Sequence, residues 1–313
     1  MSVLVPQYYS KFSCIADKCL HNCCIGWEID IDSHAMEVYK GLEGSIGDKI
    51  RNSIGCDGGQ YHFRLDSDDR CPMLKRSGLC EIIENFGDGA LCNICADHPR
   101  FRNFFTSHTE MGLGMCCEEA VRIILEETVP FSLNNGSFNT SENIYTVEEI
   151  EFFKMRERLF GILTDRQKEL KHRIKDIINE FSVSFPKASA SEWERVYRSL
   201  ERLDNSWDFC LDLLHNCEKT QYSFFDDKAW QIVLENLICY FLFRHLPDGI
   251  ESGNYNTYIN FAILSCMIIA AIFLNCKDKT FDVFKDICRM YSSEIEYSDE
   301  NIDEILFEID SFA

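Results

Sequence analysis

The residues of this chain best suited to chemistry are its cysteines. There are 17 Cys among 313 residues, and eleven of them lie between Cys14 and Cys117. Cys14, Cys19, Cys23 and Cys24 follow one another in a C-x4-C-x3-C-C run, and a later C-x2-C pair spans residues 92–95. Thiolates bind soft metals strongly, and four that converge can hold zinc or an iron–sulfur cluster. The clustering therefore predicts a metal site in the N-terminal part of the chain.

The spacing of these cysteines favours iron–sulfur over zinc only slightly. Zinc modules usually combine two closely spaced Cys pairs, and here only Cys92 and Cys95 have that spacing. The first run differs by one residue from the C-x4-C-x2-C run of plant-type iron–sulfur proteins. The N-terminus lacks the basic start, long apolar run and small-residue cleavage site of a secretory signal. We therefore expect a cytoplasmic protein whose thiols stay reduced and bind metal.

The charge of the chain restricts its partners. Lys and Arg number 31 and Asp and Glu number 52, so the formal net charge is −21. Because phosphate contacts need clustered cations, we expect no nucleic-acid partner, and a basic protein partner fits better. The most apolar stretch, residues 261–274, is too short to span a bilayer. It predicts a buried core helix and no membrane association.

Two parts of the sequence follow different patterns, which predicts an α+β fold that is mainly α. Residues 1–130 form a Cys-rich, metal-bound part with small β-hairpins, 131–145 a linker or surface loop, and 146–313 a helical domain. Alternation predicts short strands at 28–32 and 61–65, and hairpins at 71–83, with its turn at 75–78, and at 101–115. Apolar residues at helical spacing predict helices at 117–127, from 146 to 181, and at 190–217, 225–246, 255–275, 279–292 and 300–310.

Five cysteine motifs occur in a specific order. Phe-x-Cys-x4-Cys-x3-Cys-Cys-x-Gly-Trp ends at Trp27, and Cys-Pro-x-Leu and Gly-Leu-Cys-x-Ile follow at Cys71 and Cys80. Cys-x3-Pro-Arg begins at Cys95, and Cys-x-Glu-Ala begins at Cys117. This order resembles the flagellin lysine N-methylase family, which belongs to a wider group of zinc- or iron-chelating proteins named for a CxxCxxCC pattern. His98 and Glu118 depart from the family, which usually has an aromatic residue and a proline at these positions.

The resemblance implies both an activity and a ligand set. The activity is transfer of a methyl group from S-adenosylmethionine to lysine side chains of a protein, with flagellin as the implied partner. The implied cofactor is an iron–sulfur cluster, 4Fe-4S being favoured and zinc the alternative. The family's cysteine pattern carries over onto eight residues as metal ligands: Cys14, Cys19, Cys23, Cys24, Cys71, Cys80, Cys95 and Cys117. Cys56, Cys92 and Cys116 fall outside it.

Methylation of lysine requires a neutral amine. Free lysine has a pKa of about 10.4, so a methylase must align the reactants and let a proton leave. Polar residues near the motifs are the candidates for this work, and we select Tyr8, Asp97, Arg100 and Glu119 as catalytic. Tyr9 and His98 lie close by in the sequence. The short glycine groups are typical of turns, so the sequence does not locate the S-adenosylmethionine site.

Two other functions fit the same cysteines. The chain could be a non-catalytic metal-binding module that presents its helical part to a partner, or an iron or zinc carrier. Binding of S-adenosylmethionine separates the methyltransferase from both, and rapid metal transfer to an apo-acceptor identifies the carrier.

Overall fold

The fold is described from a computed structural model, which covers residues 2–135, 145–215 and 225–313. Helices account for 56% of the chain and strands for 11%, which confirms the prediction of a mainly α, α+β protein. Within the described residues the α-helices are α1 Ser33–Gly41, α2 Gly44–Asn52, α3 Glu81–Phe86, α4 Asn93–Asp97, α5 Glu118–Leu125, α6 Val147–Leu163, α7 Leu170–Glu180, α8 Ala190–Ser199, α9 Trp207–His215, α10 Gln231–His245, α11 Tyr255–Asn275, α12 Phe281–Ile295 and α13 Asp299–Phe312. The strands are β1 Ser2–Pro6, β2 Asp30–Ile31, β3 Ile54–Asp57, β4 Gln60–Phe63, β5 Arg100–Phe104, β6 His108–Leu113 and β7 Leu133–Asn135.

The chain divides into two compact units. Ser13–Arg100 together with Cys117–Glu119 form one, here called the Cys-rich unit. The other described residues form the helical unit. The sequence placed a boundary near residue 130, whereas these unit borders fall at residues 13, 100 and 117–119. Most of the expected linker, residues 136–144, lies outside the described residues, so the linker stays a prediction.

The Cys-rich unit is built on a small antiparallel sheet of strand order β2-β4-β3. The alternating segments at 28–32 and 61–65 supply β2 and β4, which pair through Ile31 and Tyr61. The side chain of Asp32 accepts a hydrogen bond from the N–H of Ala35 at 3.0 Å and so caps α1. Its second oxygen accepts from the N–H of Asn93 at 2.7 Å, at the start of α4. One carboxylate thus satisfies free donors at two helix N-termini and fixes the segment that carries Cys92 and Cys95.

The helical unit has a four-stranded sheet of order β5-β6-β1-β7 and a core of two apolar helices, α10 and α11. β1 pairs parallel with β6 and antiparallel with β7. The expected hairpin at 101–115 is present as β5 and β6, whereas β1 was not expected. Helix α11 is long and apolar enough to cross a membrane by length and composition, but 89% of that stretch is buried inside the fold. It serves as the core helix that its composition predicts.

Cap residues explain where two of the surrounding helices begin. Thr146 and Ser189 each accept a hydrogen bond from a backbone N–H three residues on, and the carboxylate of the glutamate at that position accepts one from the backbone N–H of the cap residue. This reciprocal capping box satisfies donors that would otherwise be unpaired at the helix N-terminus. The segment at 71–83 differs from its prediction. A turn and a single bridge between Leu74 and Cys80 are present, but the second arm continues as α3 instead of a strand.

Candidate functional site

Three segments of the Cys-rich unit bring six cysteines together. The N–H of Cys71 donates to the carbonyl of Cys24 at 2.8 Å, which joins the first Cys run to the second motif. The bridge between Leu74 and Cys80 folds the second motif back on itself. Cys92 and Cys95 stand at the start of α4, where Asp32 holds the backbone. Here these six residues are called the thiol cluster: Cys23, Cys24, Cys71, Cys80, Cys92 and Cys95.

The thiol cluster contains two hydrogen-bonded pairs. The sulfur atoms of Cys92 and Cys95 are 3.4 Å apart. That hydrogen bond is the main cause that lowers the pKa of Cys92 and raises the pKa of Cys95. In the same way, the hydrogen bond between Cys23 and Cys24 lowers the pKa of Cys23 and raises that of Cys24. Each pair therefore favours one thiolate that accepts a hydrogen bond from the neighbouring thiol.

Cys71 and Cys80, the remaining two thiols of the thiol cluster, also lie where a thiolate is disfavoured. Burial, followed by the nearby Cys80 and Cys92, raises the pKa of Cys71 to about 11. Burial is also the largest cause that raises the pKa of Cys80. Charges on Cys71 and Cys80 disfavour a thiolate at Cys24. Several thiolates cannot coexist here without a cation, which is the situation that a soft metal relieves.

Tyr39 lies against the thiol cluster and is fully buried. Burial and the charges of Cys92 and Cys95 raise the pKa of its hydroxyl. This hydroxyl makes no hydrogen bond of normal geometry with a described group, although the N–H of Cys92 is close. Apolar residues that include Ile29, Phe63 and Met73 pack around the same thiols. A buried tyrosine hydroxyl facing thiols is a donor available to a sulfur ligand.

The donor chemistry of the thiol cluster suits a soft metal or an iron–sulfur cluster. Within the described ranges, however, no three His, Cys, Asp or Glu side chains are arranged so that they could hold a metal ion. Five of the eight ligands implied by the resemblance lie in the thiol cluster, namely Cys23, Cys24, Cys71, Cys80 and Cys95. Cys92 lies with them although the family pattern does not include it.

Two other implied ligands meet at Glu118. The carboxylate of Glu118 accepts hydrogen bonds from the N–H groups of Leu20 and His21 at 2.8 and 3.2 Å, and it lies 3.5 Å from the sulfur of Cys19. Burial is the main cause that raises the pKa of Cys19 to about 12, with Glu118 and Cys117 adding to it. Glu118 thus fixes the Cys19 loop. Glu118 was recognisable from the motif, because a glutamate stands where the family usually has proline.

The other cysteines have separate environments. Cys14 is exposed, and its sulfur accepts a hydrogen bond from the N–H of Ala16 at 3.4 Å. Cys56 is exposed on β3, and Cys116 is buried in the helical unit, where its thiol donates to the Tyr297 hydroxyl at 2.9 Å. Among the cysteines after Cys117, four are buried, Cys210, Cys239, Cys266 and Cys288, and Cys276 is half-buried. Cys217 lies outside the described residues.

The candidate catalytic residues are distributed over both units. Tyr8, in the helical unit, is 3% exposed, and its hydroxyl has no hydrogen-bond partner among the described residues. Burial, then Cys239 and Glu127, raises its pKa, so the hydroxyl stays protonated. In the Cys-rich unit Glu119 is 9% exposed in the first turn of α5.

Asp97, His98 and Arg100 follow one another at the end of α4. The Arg100 guanidinium donates to the carbonyls of Ala96 and Asp97 at 3.3 and 3.5 Å. Burial, and then Arg100, lowers the pKa of His98 to about 4. The His98 ring meets the ring of Trp27 edge to face, with centroids 6.2 Å apart. His98 is therefore a neutral side chain packed on Trp27.

A polar groove lies between α6 and α7. It has a volume of about 520 Å³ and is lined by Arg158, Gly161, Ile162, Asp165, Lys168, Asp176, Asn179 and Glu180. Ion pairs of 2.6 Å join Arg158 to Glu180 and Lys168 to Asp176, so its cations are already neutralised. It offers no aromatic ring against which an adenine could stack. The groove therefore does not suit S-adenosylmethionine.

Comparison with known proteins gives the relationships of the chain. The family model of the FliB lysine N-methylase C-terminal domain matches residues 100–311. A lysine-N-methylase of Salmonella typhimurium is 25% identical over 152 residues, which cover 45% of this chain and 38% of that relative. The flagellar biosynthetic protein FliU of Salmonella muenchen is 26% identical over 133 residues, which cover 41% of this chain and 79% of FliU. No solved structure matches the chain.

The extent of these matches decides what they establish. The chain spans 38% of the length of the Salmonella typhimurium lysine-N-methylase. The family match starts at residue 100, after most of the cysteine motifs, and includes Cys116 and Cys117. Since the family model matches more than half of the residues of this chain, the chain belongs to the FliB lysine N-methylase family.

Proposed function

We propose that this chain is a protein-lysine N-methyltransferase that takes its methyl group from S-adenosylmethionine and acts on a flagellin-type protein. The observation that carries the proposal is the family match over residues 100–311, supported by relatives named as a lysine-N-methylase and a flagellar biosynthetic protein. The net charge of −21 supports a lysine-bearing substrate, because opposite charges speed encounter.

The proposal includes a metal held by the thiol cluster. Cys23, Cys24, Cys71, Cys80 and Cys95 are the proposed ligands that lie there, and Cys92 is the further thiol within reach. Thiolate ligation by this set suits an iron–sulfur cluster, with zinc as the alternative. When bound, the metal supplies folding free energy to a unit whose strands are only two to four residues long. Cys14, Cys19 and Cys117 remain implied ligands that this geometry does not bring into the thiol cluster.

The chemistry requires the chain to handle one proton. Methyl transfer forms a nitrogen–carbon bond with the lysine lone pair, so the ammonium must first lose its proton. Tyr8 stays protonated at neutral pH, and its hydroxyl oxygen can accept a hydrogen bond from an amine N–H, which orients the amine and leaves its lone pair free to attack. A carboxylate such as Asp97 or Glu119 can accept the proton directly or through water. S-adenosylmethionine, when bound, supplies an electrophilic methyl group on a sulfonium.

Mass spectrometry of flagellin tests the function. Protein purified without oxygen is incubated with S-adenosylmethionine and flagellin from the same source, and we expect mass gains in steps of one methyl on lysine. Calorimetry with S-adenosylmethionine gives a second readout. Loss of activity in Glu119→Gln, with unchanged metal content and melting temperature, would support Glu119 as catalytic, and Glu126→Gln, just after the end of α5, is the matched control. No methyl gain and no cofactor binding would instead favour a non-catalytic metal-binding module or a metal carrier.

A further inference from the structure

The outer face of helix α13 combines an exposed aromatic residue with carboxylates. Its inner face packs into the helical unit through Asn301, Ile305 and Ile309, which are nearly or fully buried. Phe307 stands on the opposite side and is 65% exposed. An exposed phenylalanine forgoes about 2 kcal/mol of burial free energy, as do other exposed apolar residues such as Phe104 and Phe209.

The face around Phe307 is strongly acidic. Glu304 and Asp303 lie one turn before Phe307, where helix geometry makes them its neighbours, and Asp299 and Glu300 lie one turn further. From residue 290 onward the sequence contains eight Asp and Glu and no Lys or Arg. Across residues 2–135, 145–215 and 225–313, no Lys or Arg forms an ion pair with these four carboxylates.

A neighbouring residue shows the same negative field. Tyr258 of α11 is half-buried, and after burial the causes that raise its pKa are Asp248, Asp303 and Asp310. Of the four carboxylates, Asp303 therefore lies near Tyr258, together with Asp310. Asp310 is itself fixed by hydrogen bonds from Thr257 at 2.5 Å and Asn254 at 3.3 Å, so this edge of the face is rigid.

We infer that this face of α13, made of Phe307 with Asp299, Glu300, Asp303 and Glu304, docks a basic segment of the lysine-bearing protein substrate. The inference rests on the proposed function and identifies where that substrate is held. An apolar anchor surrounded by charge of one sign matches a cationic segment that carries an apolar side chain. A second copy of this face, an anionic lipid surface and a nucleic acid all carry the same sign of charge and are repelled.

The docking face is distinct from the place of reaction. A lysine held among carboxylates keeps its proton, because nearby negative charge favours the ammonium form. Such a lysine is a poor nucleophile, so the α13 face binds one part of the substrate while another lysine reacts. Weakening this face should therefore raise KM for the protein substrate and leave kcat nearly unchanged.

Binding of monomeric flagellin from the same source tests the docking face directly. We expect Phe307→Ser to raise the Kd at least threefold, and the double variant Asp303→Lys/Glu304→Lys to raise it about tenfold at low salt. Phe209→Ser is the matched control, because Phe209 is 64% exposed on α9 beside carboxylates that are paired with Arg198 and Arg202. Glu157→Lys/Asp278→Lys changes the net charge equally at exposed sites elsewhere and should leave the Kd within twofold.

Each outcome decides between the two proposals. Equal weakening by the test and control pairs, unchanged binding of the test variants, or no binding of wild type would overturn the docking face. Conversion of a dimer into a monomer by Phe307→Ser, seen by sedimentation, would also overturn it by making the face a self-interface. Flagellin that binds at α13 but gains no methyl group would contradict the proposed function and support the docking face. Methylation that is unaffected in all variants would overturn the docking face and leave the proposed function in place.

Discussion

The sulfur atoms of Cys92 and Cys95 lie 3.4 Å apart at the start of α4, and one hydrogen bond sets their pKa values in opposite directions. Asp32 holds the backbone of this segment through the N–H of Asn93. The pair is thus preorganised with one sulfur ready to act as a ligand. Metal binding must displace the remaining proton, so occupancy of this site should fall as pH falls.

Replacement of thiols should separate ligands from bystanders. We expect Cys71→Ser, Cys80→Ser and Cys95→Ser each to lose most of the bound metal, because serine oxygen is a poor ligand for soft metals. Cys56→Ser is the matched control, since Cys56 lies in the same unit but is exposed on β3. Iron, sulfide and zinc analysis of anaerobically purified protein provides the measurement. Full metal content in all three variants would remove the thiol cluster from the proposal.

Removal of the metal should destabilise the Cys-rich unit. Its sheet has short strands and its core includes Cys71 and Cys92, so bound metal would contribute a large part of its folding free energy. We expect chelation, or exposure to air, to lower the melting temperature of the wild type. A Cys71→Ser/Cys80→Ser variant should show no further decrease under the same treatment. An unchanged melting temperature in wild type that demonstrably lost metal would contradict a stabilising role.

A buried ion pair in the helical unit gives a test of stability that does not involve metal. Arg156 donates to both oxygens of Glu110 at 2.6 and 2.7 Å, and Glu110 is fully buried. Breaking such a pair costs about 3–5 kcal/mol, so Glu110→Gln should lower the free energy of unfolding in urea by roughly that amount. Glu180→Gln, which breaks the exposed Arg158 pair, is the control and should have little effect.

The ion pair of Glu110 and Arg156 should also make the stability of the protein depend on pH in the acidic range. Burial raises the pKa of Glu110, but the hydrogen bonds and charge of Arg156 outweigh it, and the net pKa lies below its ordinary value. A carboxylate with a lowered folded pKa stabilises the protein above its unfolded pKa, and this stabilisation is lost as pH falls toward the folded pKa. Wild type should therefore lose more stability between neutral and acidic pH than Glu110→Gln. Equal loss in both proteins would show that other carboxylates carry the acid sensitivity.

The sequence predicted most helices of the second half because apolar residues at helical spacing indicate a helix with one buried face. The segment 255–275 matches α11 at both ends, and 279–292 corresponds closely to α12. The prediction of one helix over 190–217 was wrong in its middle, where α8 ends at Ser199 and α9 begins at Trp207. The carboxylate of Glu294 accepts hydrogen bonds from the N–H groups of Leu203 and Asp204 and stabilises this break. Such a long-range contact leaves no local signal in the sequence.

The sequence predicted only part of the candidate site, because part of it depends on tertiary contacts. Spacing identified the cysteine motifs, but it could not show which thiols share a location. The link from Cys24 to Cys71 depends on a backbone hydrogen bond, and the position of the Cys92–Cys95 segment depends on its cap by Asp32. The contact between Glu118 and the Cys19 loop joins residues almost a hundred positions apart. These are tertiary contacts that motif order does not encode.

The proposed methylation should depend on pH and salt in ways that separate encounter from chemistry. The rate at saturating flagellin should rise from pH 7 toward about pH 9, because the neutral fraction of a lysine of pKa about 10.4 rises nearly tenfold per pH unit. At low flagellin concentration the rate should fall with added salt, since exposed charges are screened beyond about 8 Å at physiological ionic strength. The rate at saturation should change much less, because encounter no longer limits it. A control titration with a short peptide whose only charged group is one lysine should keep the pH dependence and lose most of the salt dependence. A rate that is independent of pH in this range would contradict rate-limiting deprotonation of the amine, and equal salt effects at low and saturating flagellin would contradict electrostatic encounter.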